Sequence, residues 1–214
     1  MSSITDVNSY AKLERQRLAD VLEKLGPDVP TLCDGWTTRD LAAHLVVRER
    51  RPDAMAGNYI RPLRKHGEHV RLAKAAQPYA SILQEFRRPP RWSPISNPLL
   101  DEITNAGEFY IHHEDALRGQ PGWAPRTLDP GQERALWRTL KITGKIALRR
   151  LGVPATVRAE GFGEFVVGTG PQVTISGTPG ELTLFLTGRQ RAANVEVTGP
   201  EGPAQRVRKA RLGF

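Results

Sequence analysis

The chain has a single cysteine, Cys33, among its 214 residues. That excludes an internal disulfide and any cysteine-rich metal site. Cys33 stands three residues before Trp36, and no motif pairs it with a base. It reads as a small packed hydrophobe rather than a nucleophile. Long apolar runs are absent too: nothing approaches the roughly 18 residues that a membrane span needs. The N-terminal MSSITDVNSYAKLERQR lacks the apolar core of a signal peptide. A cytoplasmic protein, with no membrane partner, is expected. No internal repeat is visible, and no nucleic-acid-binding motif accompanies the net charge of +8.

Lysine is scarce: only 7 of the 31 basic residues are Lys and 24 are Arg. That skew, with abundant Ala and Gly, fits GC-rich codon usage as well as it fits selection for a polyanionic partner. The charge is also uneven. Residues 1–128 carry 18 basic and 16 acidic side chains, and residues 129–214 carry 13 and 7. The excess lies on Arg134, Arg138, Lys141, Lys145, Arg149 and Arg150 and in a tail with Arg206, Arg208, Lys209 and Arg211. A basic strip attracts anions, but nucleic acid is not an expected partner without a motif.

The pattern along the chain predicts two domains, 1–128 and 129–214. Residues 4–25 have helical periodicity, with Tyr10, Leu13, Leu18, Val21, Leu22 and Leu25 as the apolar set. Gly26 and Pro27 stop this helix. A second helix is expected from Thr37 or Thr38 to Arg51, ahead of Pro52. Residues 52–77 read as a long loop with helical pieces, because Gly57, Pro62 and Gly67 interrupt them. A third helix is expected over Tyr79 to Arg87, then a WSPISNP loop, then a fourth helix from Leu99 to Leu117. After a Gly- and Pro-rich linker come a basic helix at 131–151 and strands at ATVRAE, EFVV and QVTIS. Thr178-Pro-Gly-Glu181 is a capping-box signature that opens another helix, and a last strand is expected at Asn194–Thr198. The fold class is α+β: a helical domain followed by a small α+β domain.

Five histidines are present: His44, His66, His69, His112 and His113. On the fourth helix, taking Asp101 as zero at 100° per residue, Asn105, Glu108, His112 and Asp115 fall within about 40° of it. Glu108 and His112 are one turn apart, so a carboxylate and an imidazole share a face. On the second helix Asp40, His44, Arg48 and Arg51 line one side. If the two stripes face each other, His44 joins Glu108 and His112 around one ion. Polar stripes on amphipathic helices ordinarily face solvent, and spacing alone leaves both readings open. Asp40 and Asp115 are candidates to hold the imidazoles from behind. Arg48 and Arg51 are candidates to bind an anionic substrate group. His113 reads as a packed, hydrogen-bonded residue, His66 and His69 as solvated, and Trp36 and Trp92 as packing residues.

The segments LCDGWTTRDLAAHL and NAGEFYIHHEDALRG resemble the two signature stretches of the DinB-like superfamily. More narrowly, they are similar to its mycothiol-dependent maleylpyruvate isomerase N-terminal branch. The resemblance covers about residues 4–120. It implies a four-helix bundle with a three-ligand metal site: one His from a Gly-Trp-x-x-x-Asp-Leu-x-x-His stretch, here Gly35 to His44, and a Glu-x-x-x-His pair, here Glu108 and His112. The second domain is only loosely similar to a sterol-carrier-like domain, and no catalytic residue in it matches.

The resemblance further implies one divalent metal, zinc first, with nickel or iron also fitting the donor set. It implies a low-molecular-weight thiol such as mycothiol that is activated on the metal and attacks an electrophilic substrate, in a transferase or isomerase reaction. The same ligands would also serve a metal-dependent hydrolase. A non-enzymatic metal-binding or regulatory module that engages an acidic partner through the basic C-terminal helix is the third reading.

Overall fold

The computed structural model describes residues 7–55, 57, 60–90, 92, 101–170 and 172–212. The first helix's expected start at residue 4, the loop beyond Trp92 and the fourth helix's expected start at Leu99 lie outside these residues. The chain forms two compact units, Met1–Ala124 and Pro125–Phe214. Each unit has a hydrophobic core of its own. None of the described helices is long and apolar enough to cross a membrane.

The first unit is helical. It contains α1 (Val7–Leu25), α2 (Thr38–Arg50), α3 (Pro52–Met55), a 3-10 turn (Arg61–Leu63), α4 (Arg64–Ala75), α5 (Tyr79–Arg87) and α6 (Asp101–Arg118). Leu18 and Leu22 of α1 meet Leu41 and Leu45 of α2, Ile82 and Phe86 of α5, and Phe109 of α6 in one core, all of them fully buried. Burying each such side chain contributes roughly 1.5–3 kcal/mol. Gly57, Pro62 and Gly67 predict a long loop with helical pieces over residues 52–77, and the longest of these pieces, α4, runs through Gly67. Gly67 sits inside α4 because a Cβ there would lie 2.6 Å from the Ala54 carbonyl oxygen. The glycine marks the close approach of α3 and not a break in the helix. Trp92, expected to pack, is 63% exposed.

The inward face of α1 is less apolar than its periodicity predicts. Leu13 is 37% exposed, whereas Glu14 and Arg15 are 1% and 4% exposed. Arg15 reaches Glu49 of α2 with both terminal nitrogens, one at 2.8 Å, and donates to the Phe86 carbonyl oxygen at 3.0 Å. Its guanidinium lies 5.1 Å from the Phe86 ring centre and 4.5 Å from that of Phe109. Glu14 meets His113 Nδ1 of α6 at 2.8 Å. Buried charges persist only when paired in this way.

A short turn joins α1 to α2. The Thr31 amide donates to the Trp36 carbonyl at 3.0 Å, and Gly35 turns the chain at φ +76°, a backbone state that favours glycine. The end of α6 lies directly against this turn. A Cβ on Gly119 would lie 2.7 Å from the Pro30 oxygen and 2.8 Å from the Thr31 Cα. Thr37 then caps α2: its amide and hydroxyl both donate to Asp40, at 3.0 and 2.9 Å.

The second unit mixes helices and strands. It runs α7 (Pro130–Leu151), β1 (Ala155–Ala159), β2 (Gly163–Val167), β3 (Val173–Ser176), α8 (Pro179–Leu186), a 3-10 turn (Gln190–Ala192), β4 (Glu196–Thr198) and α9 (Glu201–Lys209). The sheet order is β2-β1-β3-β4. β1 pairs antiparallel with β2 (Ala155 opposite Val167) and parallel with β3 (Ala155 opposite Val173), and β3 pairs antiparallel with β4 (Ile175 opposite Val197). Val157, Phe165, Val173, Ile175 and Val197 face a core shared with Leu140 and Leu148 of α7 and Leu182 and Phe185 of α8. The expected cap of α8 is present, with Thr178 Oγ1 accepting from the Glu181 amide at 3.4 Å. The basic stretch read as a tail forms α9, because Ala204 and Val207 bury one side of it.

Candidate metal centre

The central parts of the two polar stripes, His44 with Arg48 and Glu108 with His112, face each other and not solvent. His44 and Arg48 of α2 and Glu108 and His112 of α6 have side chains only 16%, 13%, 29% and 9% exposed. His44 Nε2 is 3.5 Å from Glu108 Oε1, and His112 Nε2 is 3.3 Å from the same oxygen. The three donor atoms all lie within 4.8 Å of one another. These separations are long for direct charge-assisted hydrogen bonds, which run about 2.7–2.9 Å. They match the donor spacing of about 3.4 Å around a tetrahedral ion with bonds of roughly 2.1 Å. Two imidazoles and one carboxylate suit zinc or a similar borderline cation and leave a coordination position for another ligand. By donor type and spacing, the residues present fit a divalent ion.

Each of these side chains is held from behind. His112 Nδ1 meets Asp115 Oδ2 at 2.9 Å, so Nε2 is the ring nitrogen turned toward Glu108. Asp115 is fully buried, and the same oxygen accepts from Cys33 Sγ at 3.2 Å. The Asp115 carbonyl accepts from the Leu32 amide at 3.0 Å, which ties the turn before α2 to α6. Arg48 lies 3.3 Å from Glu108 and donates to Asn105, itself fully buried. His44 packs against Trp36, with ring centres 5.1 Å apart. Arg71 of α4 stacks on the same Trp36 ring at 4.8 Å.

Burial pushes the His44 imidazole down, helped by the charges of His112 and Arg48 and opposed by its bond to Glu108, so its neutral form is favoured. Burial alone would raise Glu108, but His112, His44 and Arg48 outweigh it and hold the carboxyl well below its usual range. Burial would lower His112, but the bonds to Asp115, Cys33 and Glu108 prevail and raise it. A cation that binds at His112 Nε2 must displace its proton, and the donor set is then an ionised carboxylate between two imidazoles.

Not every residue singled out in the sequence reaches this cluster. Asp115 does, behind His112, and so does Arg48. Asp40 holds no imidazole. It caps α2 and pairs with Arg71 at 2.5 Å, because position N3 of the helix turns its carboxylate back toward Thr37. Arg51 is also elsewhere: it terminates α2 and pairs with Asp53 at 2.7 Å on the surface. His66 shares Asp53 at 2.8 Å, and His113 bonds Glu14 as expected of a packed residue. Cys33 is more than a packing residue: its thiol contacts Asp115, and the one sequence hint is its place in the LCDGWTTRDLAAHL segment that leads to His44.

Arg71 carries a prediction about acid stability. Burial raises the Asp40 carboxyl, but Arg71 and Thr37 outweigh it and hold it below 3.8. Arg71 also lowers Glu68. Depressed carboxylates stabilise the fold above their ordinary values, and the gain is lost as pH falls through the folded values. Arg71→Gln is expected to cost about 1–2 kcal/mol at pH 7. The gap to the wild type should narrow below the ordinary Asp value of 3.8. Urea unfolding at the two pH values reads this directly, and a gap independent of pH would contradict it.

Comparison with known proteins agrees with the first of the two motifs. Residues 11–93 match the sequence model of the Mycothiol maleylpyruvate isomerase N-terminal domain family. The match includes the Gly35–His44 stretch and stops short of Glu108 and His112. A solved structure, described as the crystal structure of the mycothiol-dependent maleylpyruvate isomerase, superposes with a TM-score of 0.61 at 15% identity. The similarity covers 92% of this chain and 93% of that one. The α+β fold therefore extends beyond the N-terminal family segment. No curated protein matches the chain in sequence.

Proposed function

We propose that this protein, whose N-terminal unit carries a mycothiol maleylpyruvate isomerase N-terminal domain, binds one divalent ion through His44, Glu108 and His112 and catalyses a thiol-dependent isomerisation or transfer. The observation that carries the reading is the spacing of the three donor atoms, with both imidazole nitrogens 3.3–3.5 Å from one carboxylate oxygen. The name of the similar structure supports a mycothiol-type thiol as cosubstrate. Helices α1, α2, α5 and α6 are read as the four of a DinB-like bundle, supported by the packing of α1 on α5 and α6 and of α2 on α5. The second unit is read as sterol-carrier-like. A reducing cytoplasm suits both the thiol cosubstrate and the free Cys33.

When bound, the metal supplies a Lewis acid that keeps a thiol ionised at neutral pH. The chain's own residues do the rest. Asp115 fixes the His112 ring, so that Nε2 and not Nδ1 is presented. Trp36 walls one side of His44 and limits water there. Arg48, held by Asn105 and Glu108, keeps a guanidinium at the edge of the cluster, where it orients an anionic group of thiol or substrate.

The test is elemental analysis of the purified protein together with turnover of maleylpyruvate with and without mycothiol. The expected result is about one divalent ion per chain, lost in His44→Ala and Glu108→Ala, and turnover that requires both metal and thiol. An ion retained in both variants would overturn the ligand assignment. Metal-dependent turnover of an ester or amide without thiol would replace the thiol reading with hydrolysis.

A further inference from the structure

Helix α7 turns a strongly charged face to solvent. At 100° per residue Arg134, Arg138, Lys141, Lys145 and Arg149 fall within an arc of about 80°. At 1.5 Å per residue their stripe runs for about 22 Å along the helix. Four of these side chains are exposed and Lys145 is half-buried. Within about the next 60° beyond Arg149 stand Ile142 and Ile146, which are 66% and 40% exposed. The other side of the helix, with Trp137, Leu140 and Leu148, packs into the core of the second unit.

The chain itself leaves these charges unanswered. None of the five cations has a carboxylate within ion-pair distance among the described residues. Lys141 and Lys145 rest over the Trp137 and Phe165 rings at 5.6 and 5.9 Å, contacts that leave their charge in place. The acids at the start of the helix are engaged with backbone. Asp129 accepts from the Gly131 amide at 2.7 Å, and Glu133 accepts from the Gly180 amide at 2.8 Å.

We propose that this face of α7 docks an acidic amphipathic helix of a partner protein. The partner's apolar residues meet Ile142 and Ile146, and its carboxylates run beside the cationic stripe. The stripe's spacing of three and four residues is the period of one face of a second helix. Charges that flank a short apolar seam are also how paired helices select their partners. A nucleic-acid backbone would answer the cations but leave both isoleucines without an apolar contact. An interfacial membrane helix sinks an apolar face into the lipid, whereas here the exposed apolar seam is one turn long. The assignment is independent of the metal reading, because α7 carries none of the proposed ligands.

The test is fluorescence anisotropy of the full chain with a labelled helical peptide of about 21 residues. The peptide has leucines spaced i, i+4 on one face and glutamates on both flanks, and a second peptide with glutamine for glutamate is the neutral control. The expected result is one acidic peptide per chain, bound at least tenfold more tightly than the control. Binding should weaken at least tenfold between about 0.05 and 0.3 M salt. Arg138→Gln/Arg149→Gln should weaken it at least tenfold, and Ile142→Ser/Ile146→Ser at least threefold. Arg206→Gln/Lys209→Gln removes the same charge from exposed positions of α9 and should leave binding within twofold of the wild type. All six positions are exposed, and thermal unfolding verifies that each variant is folded. Equal losses in the α7 and α9 charge variants would reduce the effect to net charge and overturn the proposal. So would an isoleucine variant that binds like the wild type. Tighter binding of a DNA duplex, or of phosphatidylcholine vesicles with phosphatidylserine, than of the acidic peptide would also overturn it.

Discussion

Replacing Glu49 with leucine is expected to destabilise the protein by about 3–5 kcal/mol, the cost of removing one partner of a buried ion pair. The side chains of Arg15 and Glu49 are 5% and 1% exposed. With the carboxylate gone, the guanidinium keeps its Phe86 carbonyl and its two aromatic neighbours. None of these neutralises a full charge in a site from which water is excluded. The double variant Arg15→Met/Glu49→Leu removes both charges and keeps the volume apolar, so it should recover most of the loss. Chemical denaturation of the wild type and the two variants reads the difference as a midpoint shift at constant slope. A Glu49→Leu cost below about 1 kcal/mol, the usual worth of an exposed pair, would show the pair to be solvated.

The second large effect is expected at Asp115. It touches no substrate in the proposed reaction and acts through His112. Asp115→Ala should weaken metal binding about 10–100-fold, as loss of a carboxylate behind a ligating histidine does elsewhere. Asp115→Asn keeps an acceptor for Nδ1 without the charge, so it should fall between the alanine variant and the wild type. Cys33→Ala removes the thiol's contact to the same oxygen at 3.2 Å and its contact to His112 and is expected to change affinity less than threefold. Competition with a chromophoric chelator measures all three. A purely structural role for Asp115 would lower the unfolding temperature while leaving the affinity of the folded fraction unchanged, and that result would remove the assignment.

What was legible in the sequence follows a physical divide. Helices α1, α2, α5 and α7 have strong apolar periodicity with Gly or Pro stops, and their extents were readable to within a few residues. The strands were marked by β-branched runs between glycines. The extent of helix α4 was hidden because Gly67, a breaker by propensity, is required there by the approach of Ala54. The pairing of Glu108 with His112 was visible from a four-residue spacing, but the approach of His44 is a tertiary event that no local pattern encodes. Arg15 and Glu14 were unreadable for a related reason. A charged residue between apolar ones looks solvated until its partner, 34 residues away for Arg15 and 99 for Glu14, turns out to face it. Asp40 and Arg51 shared the angular sector of His44, but helix ends have unsatisfied backbone groups. Capping claimed Asp40, and Arg51 follows the chain as it leaves the helix.

The Arg15 cluster also governs how the helices of the first unit slide against one another. Leucine and alanine stripes are nearly self-similar after one turn, so a helix displaced along its axis by about 5.4 Å can still find apolar neighbours. A planar guanidinium with donors in fixed directions has no such second position. Shifted by one turn, Arg15 would leave the Glu49 carboxylate and the Phe86 carbonyl, and both charges would be stranded among the Phe86 and Phe109 rings. The apolar core supplies most of the adhesion between these helices, and the arginine fixes their axial register. His44 on α2 and His112 on α6 are brought opposite each other only when that register is kept.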